Sequence, residues 1–171
     1  ITYSLHTTIP VNILDYQKFE LSDSADEALT FLPNSLTISS NGEKLTEGFV
    51  IHKKPHGFDV LFSIPSLEKY AGKKLTISYQ MQLSSTAQAN KEINNNGTLD
   101  FGFGVSTKKV SVYTGSKQFV KIETNKPDKR LAGAVFLINN KAGNYLQQTA
   151  NGYKWTKNES DALHLISDKN G

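Results

Sequence analysis

Lys121 stands in the middle of a short strand-like run, FVKIE, where a lysine could enter a protein core. Strict alternation would place Phe119, Lys121 and Glu123 on one face of a strand, with Val120 and Ile122 on the other. Burial disfavours the charged form of lysine, and a neutral amine can attack a carboxamide. A protonated carboxyl nearby could polarise that amide and transfer the proton. The alternative is a solvent-facing lysine, because lysine is rarely buried.

Other reactive groups are missing or poorly placed. Cysteine is absent, which excludes disulfides, thiolate metal sites and a cysteine nucleophile. His52 and His56 have the spacing of a helical metal site, but Pro55 between them argues against a helix. The sequence has no G-x-S-x-G elbow, no dinucleotide fingerprint and no carboxylate pair suited to glycoside hydrolysis. We therefore expect no cofactor, no metal and no conventional enzyme.

Charge and hydropathy narrow the set of partners. The 19 basic and 16 acidic residues are interspersed and give a formal net charge of +3. This balance predicts no strong attraction to nucleic acid. Hydrophobic residues make up 37% of the chain, enough for a core, but no run approaches the roughly 20 apolar residues of a membrane span.

Short segments with period-two alternation, bounded by Asn, Gly, Ser and Pro, dominate the chain and predict a β-sandwich or barrel. The predicted strands are Thr2–Thr8, Lys18–Leu21, Ser35–Ser39, Phe58–Ile64, Lys74–Leu83, Gly97–Val105, Lys109–Tyr113, Phe119–Glu123, Ala134–Asn139 and Tyr145–Gln148. Asn-Gly pairs at 41–42, 96–97 and 151–152 predict tight turns. Short helices are expected at Ser22–Leu29 and Pro65–Tyr70.

Small and polar residues from Tyr113 to Lys117 interrupt the alternation and predict a domain boundary. We expect a first domain at residues 1–112 and a second at 113–171. The second domain looks incomplete, because its last residues, Asp168–Gly171, are a turn sequence that should lead into another strand.

Several segments near the end of the chain resemble a known domain family. They are Lys121–Glu123, Leu131–Phe136, Tyr145-Leu146, Gly152–Trp155, Asp161-Ala162 and Asp168–Gly171. Over residues 117–171 they resemble the first part of a CnaB-type domain, a β-sandwich of adhesins and pili in Gram-positive bacteria. The resemblance implies that Lys121 is joined covalently to an asparagine or aspartate of the last strand. That partner, and the acid that promotes the bond in the family, do not lie within this chain.

A second resemblance covers about residues 2–105. It lies in Tyr3, Thr7–Pro10, Tyr16–Phe19, Leu21–Phe31, Gly57–Val60, Leu75–Tyr79 and Asn95–Phe101. Their order resembles the fimbrial D2-type, CnaA-like isopeptide domain. It implies an isopeptide bond between Lys18 and Asn95, promoted by the acid Asp59. The sequence departs from the family at Gly97, where alanine is usual, and at Thr8, where some relatives have lysine. The alternatives are a solvated Lys18, a surface Asp59 and a turn asparagine at position 95.

Together the resemblances imply an all-β chain of two Ig-like sandwiches in tandem, CnaA-like and then CnaB-like, the second incomplete. The expected function is a structural subunit of a covalently polymerised pilus, stabilised by Lys–Asn isopeptide bonds that form autocatalytically. The expected partners are other pilin subunits and a sortase, outside the cell, in the cell wall or pilus of a Gram-positive bacterium. The alternative is a cell-wall-anchored adhesin that binds a host matrix protein or glycan.

Overall fold

The structure is a computed structural model that describes residues 1–85, 87–150 and 152–171. Antiparallel strands dominate it, and its helices are single short turns, so the all-β prediction is confirmed. The chain divides into two compact units, Ile1–Thr114 and Gly115–Gly171. This division lies close to the boundary expected after residue 112.

The first unit is a sandwich of two antiparallel sheets. Its strands are β1 Thr2–Thr8, β2 Glu20–Ala25, β3 Leu29–Ser40, β4 Glu43–Lys44, β5 Phe49–Lys54, β6 Gly57–Phe62, β7 Lys74–Leu83, β8 Glu92–Asp100 and β9 Val105–Tyr113. One sheet has the order β1-β7-β3-β4 and the other has the order β5-β6-β2-β8-β9. Strands β1 and β9 therefore each lie at an edge of their sheet.

Alternating residues of both sheets form the core of this unit. On β7 the inward side chains are Leu75, Ile77, Tyr79 and Met81, all buried. The facing sheet contributes Phe58, whose ring lies 4.8 Å from that of Tyr79 between centroids, in an edge-on arrangement. Such aromatic contacts add to the stabilisation that comes from burying apolar area.

Two short helical segments connect strands of the first unit. Residues Ile64–Leu67 form an α-turn, α1, that continues as a 3₁₀ turn at Glu68–Tyr70, so the helix predicted at Pro65–Tyr70 is confirmed. A further 3₁₀ turn spans Ile13–Asp15. No helix among the described residues is long and apolar enough to cross a membrane.

The helix expected at Ser22–Leu29 is wrong, because this segment is the second half of β2, a turn and the start of β3. Alternation decides the structure here: Leu21 and Asp23 are buried on one face of β2, while Ser22 between them points the other way. The run of polar and small residues resembled a helix start only because the buried residue at its centre is an aspartate.

The three predicted Asn-Gly turns have different outcomes. Asn41 and Gly42 form the turn between β3 and β4 with φ values of 45° and 87°, so this prediction is confirmed. Asn96 and Gly97 lie within β8, paired on both sides, so a turn there is wrong. Asn151 lies outside the described residues.

The second unit contains only short strands. They are β10 Ile122–Glu123, β11 Lys126–Arg130, β12 Val135–Phe136, β13 Tyr145–Thr149, β14 Gly152–Thr156 and β15 Leu165–Ile166. They pair as β10–β11, β12–β15 and β13–β14. Across the described ranges, every buried hydrophobic side chain belongs to the first unit. The second unit instead exposes apolar residues such as Phe119, Val135 and Ile166.

Candidate functional site

Three polar side chains meet inside the core of the first unit: Asp23 of β2, Tyr79 of β7 and Asn95 of β8. They are 1%, 1% and 2% exposed. The Tyr79 hydroxyl donates a short hydrogen bond to Asp23 Oδ2. It accepts a hydrogen bond from Asn95 Nδ2 at 3.0 Å. We call these residues the polar trio.

Strand register explains why the trio assembles. In the β2–β8 pair, Asp23 lies opposite Gly97 and Ala25 lies opposite Asn95, so Asp23 and Asn95 are diagonal neighbours on the same inward face. Tyr79 reaches them from the facing sheet. Its ring packs among other rings, with Tyr3 stacked at 5.8 Å between centroids. The trio is thus held by two sheets and surrounded by apolar and aromatic groups.

Burial controls the acid–base properties of the trio. It raises the pKa of Asp23 to about 6, although the hydrogen bond from Tyr79 and the nearby amide group of Asn95 act in the opposite direction. Burial, followed by the hydrogen bond to Asp23, raises the pKa of Tyr79 above its usual range, so the hydroxyl stays protonated. A carboxyl with a pKa near 6 can give or take a proton near neutrality, as proton-transfer chemistry requires.

Two oxygen atoms of the trio have no hydrogen-bond partner within the described part of the chain. They are Asp23 Oδ1 and Asn95 Oδ1, both buried. Buried polar atoms are almost always hydrogen-bonded, so each such exception requires a physical explanation. Here the two atoms belong to the two side chains that Tyr79 bridges.

The trio lines a groove of about 680 Å³ between the edge strands β1 and β9. Tyr3 and Leu5 line it from β1, and Lys108 and Val110 line it from β9. A Cβ atom at Gly97 would lie 2.3 Å from Leu5 Cδ2, so this glycine allows Leu5 to pack directly against the backbone of β8. The departure from the family's alanine is therefore coupled to the packing of the groove.

The structure places one of the three sequence-predicted residues of the first unit in this site, namely Asn95. Lys18 instead makes ion pairs with Asp100 at 2.6 Å and Glu20 at 3.3 Å. Glu20 lies opposite Asp100 and Ala25 lies opposite Asn95, so five residues of strand, roughly 17 Å, separate the two locations. The folded chain does not bring Lys18 and Asn95 together.

Asp59 also lies away from the trio. It is on β6 between the buried residues Phe58 and Val60, so its side chain leaves the opposite face of the sheet. There it makes an ion pair with Lys54 at 2.7 Å. The structure therefore separates this acid from Asn95 by the thickness of the sheet.

Lys121 lies in the second unit with an exposed side chain. Its backbone N–H donates to the carbonyl of Gly171 at 2.6 Å, and its own carbonyl accepts from the N–H of Leu131 at 2.9 Å. These bonds fix the backbone around Lys121. The covalent partner that the CnaB resemblance implies for it stays a prediction.

Sequence reasoning missed Asp23 and Tyr79. Asp23 fell within a segment interpreted as helix, and its signal was its position two residues after Leu21 on the apolar face of a strand. Tyr79 continues the alternation of Leu75 and Ile77, which is typical of an ordinary core tyrosine. The contact of its hydroxyl with an acid and an amide becomes visible only when the two sheets are packed face to face.

Comparison with known sequences gives limited information. No family model matches the chain. A stretch of 83 residues is 30% identical to the Platelet adherence protein A of Streptococcus gordonii, covering 48% of this chain and 2% of that protein. The chain thus spans a very small part of the curated relative that it matches.

Comparison of structures is more informative. The pilus backbone protein RrgB from Streptococcus pneumoniae aligns with a TM-score of 0.73 and 14% identity over 99% of this chain and 78% of that chain. The group B streptococcus pilus 2b backbone protein aligns with a TM-score of 0.70 and 17% identity over 99% of this chain and 72% of that chain. The protein thus has the all-β fold of Gram-positive pilus backbone proteins.

Proposed function

We propose that the protein is a structural subunit of a pilus on the surface of a Gram-positive bacterium. The observation that carries this proposal is the similarity to pilus backbone proteins over 99% of the chain, which includes both units. Its partners are further copies of pilin subunits and the sortase that joins them. In this role the first unit transmits tension along antiparallel strands, and its packed core resists extension.

The polar trio supports the further proposal that Asn95 is the acceptor of an isopeptide bond. In this reaction a neutral lysine Nζ attacks Asn95 Cγ, a new C–N bond forms, the bond from Cγ to Nδ2 breaks, and ammonia leaves. Asp23 fits the role of the acid better than Asp59, because it belongs to the polar trio and its pKa is about 6. The protein would act on itself once and would not turn over a substrate.

The groove supports Lys108 as the amine donor. Lys108 lies opposite Gly97 on β9, and Gly97 lies opposite Asp23 on β2, so the three residues form a row across the inward face of the sheet. Gly97 has no side chain, and Leu5 packs where its Cβ atom would lie. Lys108 is exposed on β9, so the attack on Asn95 requires its side chain to fold into this groove as the neutral amine.

The pilus proposal is tested in the bacterium that encodes the chain. Antibodies to the purified protein should detect a ladder of high-mass species in the cell-wall fraction that withstands boiling in detergent. Deleting the sortase should collapse the ladder to one band. A single band in the presence of the sortase would contradict the proposal.

The match to Platelet adherence protein A favours an adhesin as the second candidate. The name of that protein describes adherence to platelets, and the match covers about half of this chain. An adhesin predicts saturable binding of the purified chain to platelets or matrix proteins without the ladder. A pilus subunit predicts the ladder whether or not such binding occurs.

A further inference from the structure

Tyr79 is the member of the polar trio that contacts both other members. Its hydroxyl donates to Asp23 Oδ2 and accepts from Asn95 Nδ2 at 3.0 Å. Within the part of the chain that the structure describes, these two bonds leave Asp23 Oδ1 and Asn95 Oδ1 without a hydrogen-bond partner. A single hydroxyl thus fixes the orientation of an acid and of an amide.

Packing alone does not explain the hydroxyl. The ring of Tyr79 lies between apolar neighbours, with the Phe58 centroid at 4.8 Å and the Phe31 centroid at 6.2 Å. A phenylalanine would make the same ring contacts. With apolar residues at all three positions the core would also avoid a buried carboxyl and two buried oxygens without partners, each of which costs stability. Polar groups retained at such a cost are typical of functional sites.

We propose that Tyr79 is a positioning residue that orients the Asn95 carboxamide and selects the oxygen of Asp23 that carries the proton. Because Oδ2 of Asp23 accepts from Tyr79, a proton bound by this acid resides on Oδ1. Because Nδ2 of Asn95 donates to Tyr79, the amide carbonyl is left to accept a hydrogen bond from another group. The inference rests on the proposed amide chemistry at Asn95, and it adds the residue that prepares the acid and the amide for it.

This role has a consequence for the reaction. Attack by an amine on Asn95 Cγ releases Nδ2 as ammonia, and the carbonyl oxygen gains negative charge as the new bond forms. A proton on Asp23 Oδ1 could stabilise that charge, while Tyr79 holds the leaving nitrogen. Tyr3 and His6 of β1 and Lys108 of β9 also line the groove, so titratable groups border it on both edge strands.

The test compares Tyr79→Phe with Tyr3→Phe in a full chain that also carries Lys108→Arg, so that Asn95 keeps its unreacted carboxamide. Tyr3→Phe is the matched control, because it removes a hydroxyl from the same groove but leaves the hydrogen bonds of the trio intact. The pH titration of the Asp23 carboxyl carbon and the exchange of the Asn95 side-chain amide protons are followed by NMR. Neither measurement requires the isopeptide bond, and Lys108→Arg keeps the Asn95 amide protons that the exchange measurement follows.

In the wild type the hydrogen bond from Tyr79 stabilises the ionised carboxylate of Asp23. Tyr79→Phe removes this bond and should therefore move the titration of Asp23 to higher pH. It should also speed exchange of the Asn95 amide protons by about tenfold, as expected for the loss of one hydrogen bond. Tyr3→Phe should change neither. Unchanged titration and exchange in Tyr79→Phe would overturn the proposal.

If Tyr79→Phe fails to fold, the Lys108→Arg protein with Tyr79 intact provides the measurement. The Tyr79 hydroxyl proton should then exchange slowly and show a nuclear Overhauser effect to the Asn95 side-chain amide. A rapidly exchanging hydroxyl would overturn the positioning role. Absence of the pilus ladder or of a cross-link would count against the proposed function and would leave these NMR results standing.

Discussion

Towards the two ends of the β2–β8 strand pair, the pKa values of two aspartates are shifted in opposite directions. At one end, Lys18 holds the pKa of Asp100 below its usual range through a hydrogen bond at the surface. At the other end, burial raises the pKa of Asp23 to about 6. The same residue type, on neighbouring strands, is fixed as a charge in one place and titrates near pH 6 in the other. The second environment suits proton transfer, because a carboxyl with a pKa of about 6 can change its protonation state near neutral pH.

Removing the centre of the trio should have the largest effect. Tyr79→Ala deletes a ring packed against Phe58, Phe31 and Tyr3, and we expect the free energy of unfolding to fall by about 4 kcal/mol. Urea denaturation would measure the loss. A loss below about 1 kcal/mol would show that the trio does not lie at the centre of the core.

The second-largest effect should be a pH dependence of stability that differs between Asp23 and Asp100. The pKa of Asp23 is raised from its unfolded value to about 6, so the folded state binds this proton more tightly than the unfolded chain does. The first unit should therefore lose stability as the pH rises from about 4 to above 6, by up to about 3 kcal/mol from this group. Asp23→Asn should abolish this dependence, as measured by urea denaturation across that pH range.

At the Lys18 end the pH dependence has the opposite sign. The lowered pKa of Asp100 contributes stability at neutral pH that is lost as the pH falls through the folded-state pKa. Asp100→Asn is thus the matched control for Asp23→Asn. Equal pH profiles for the two variants would contradict the contrast between the two ends.

Packing between the groove and β8 should give an intermediate effect. Gly97→Ala places a methyl group against Leu5, and we expect a loss of about 1 kcal/mol in the free energy of unfolding. In a double-mutant cycle with Leu5→Ala, the double variant should lose less stability than the sum of the losses in the two single variants. Strict additivity would mean that Leu5 does not pack on Gly97.

The smallest effect is expected at Lys18. Its ion pairs with Asp100 and Glu20 lie at the surface, where such pairs contribute little to stability. Lys18→Met should leave the midpoint of urea denaturation almost unchanged and should not move the titration of Asp23. A shift in the Asp23 titration would show that the two ends are coupled.

Much of the fold could be predicted from the sequence because alternation is a local signal. The bounds of β1 and β7 are those predicted. Apolar residues occupy every second position of β7 from Leu75 to Leu83, and β1 has them at Tyr3 and Leu5. The helix predicted from Ser22 failed because a buried aspartate reads as a polar surface residue. The turn predicted at Asn96 failed because neighbouring strands pair with β8 on both sides, which no local pattern reveals.

The candidate site was only partly predictable for the same reason. Asn95 was found through its motif, but the lysine and the acid were chosen by position along the chain. Strand β8, which carries Asn95, pairs with β2 and β9 and packs against the opposing sheet. These contacts determine which lysine and which acid lie on the same face as Asn95. Lys18 precedes β2, at the end of the β2–β8 pair away from Asn95, and Asp59 lies on the opposite face of the sheet.

The intact mass of the purified protein, followed by digestion and mapping of linked peptides, tests the amide chemistry at Asn95 most directly. We predict a mass lower than the sequence mass by one ammonia, with Asn95 and Lys108 in one branched peptide. The deficit should be lost in Lys108→Arg and in Asp23→Ala but kept in Lys18→Arg. A mass equal to that of the sequence, with Asn95 recovered in an unlinked peptide, would contradict the claim that the polar trio is a site of amide chemistry.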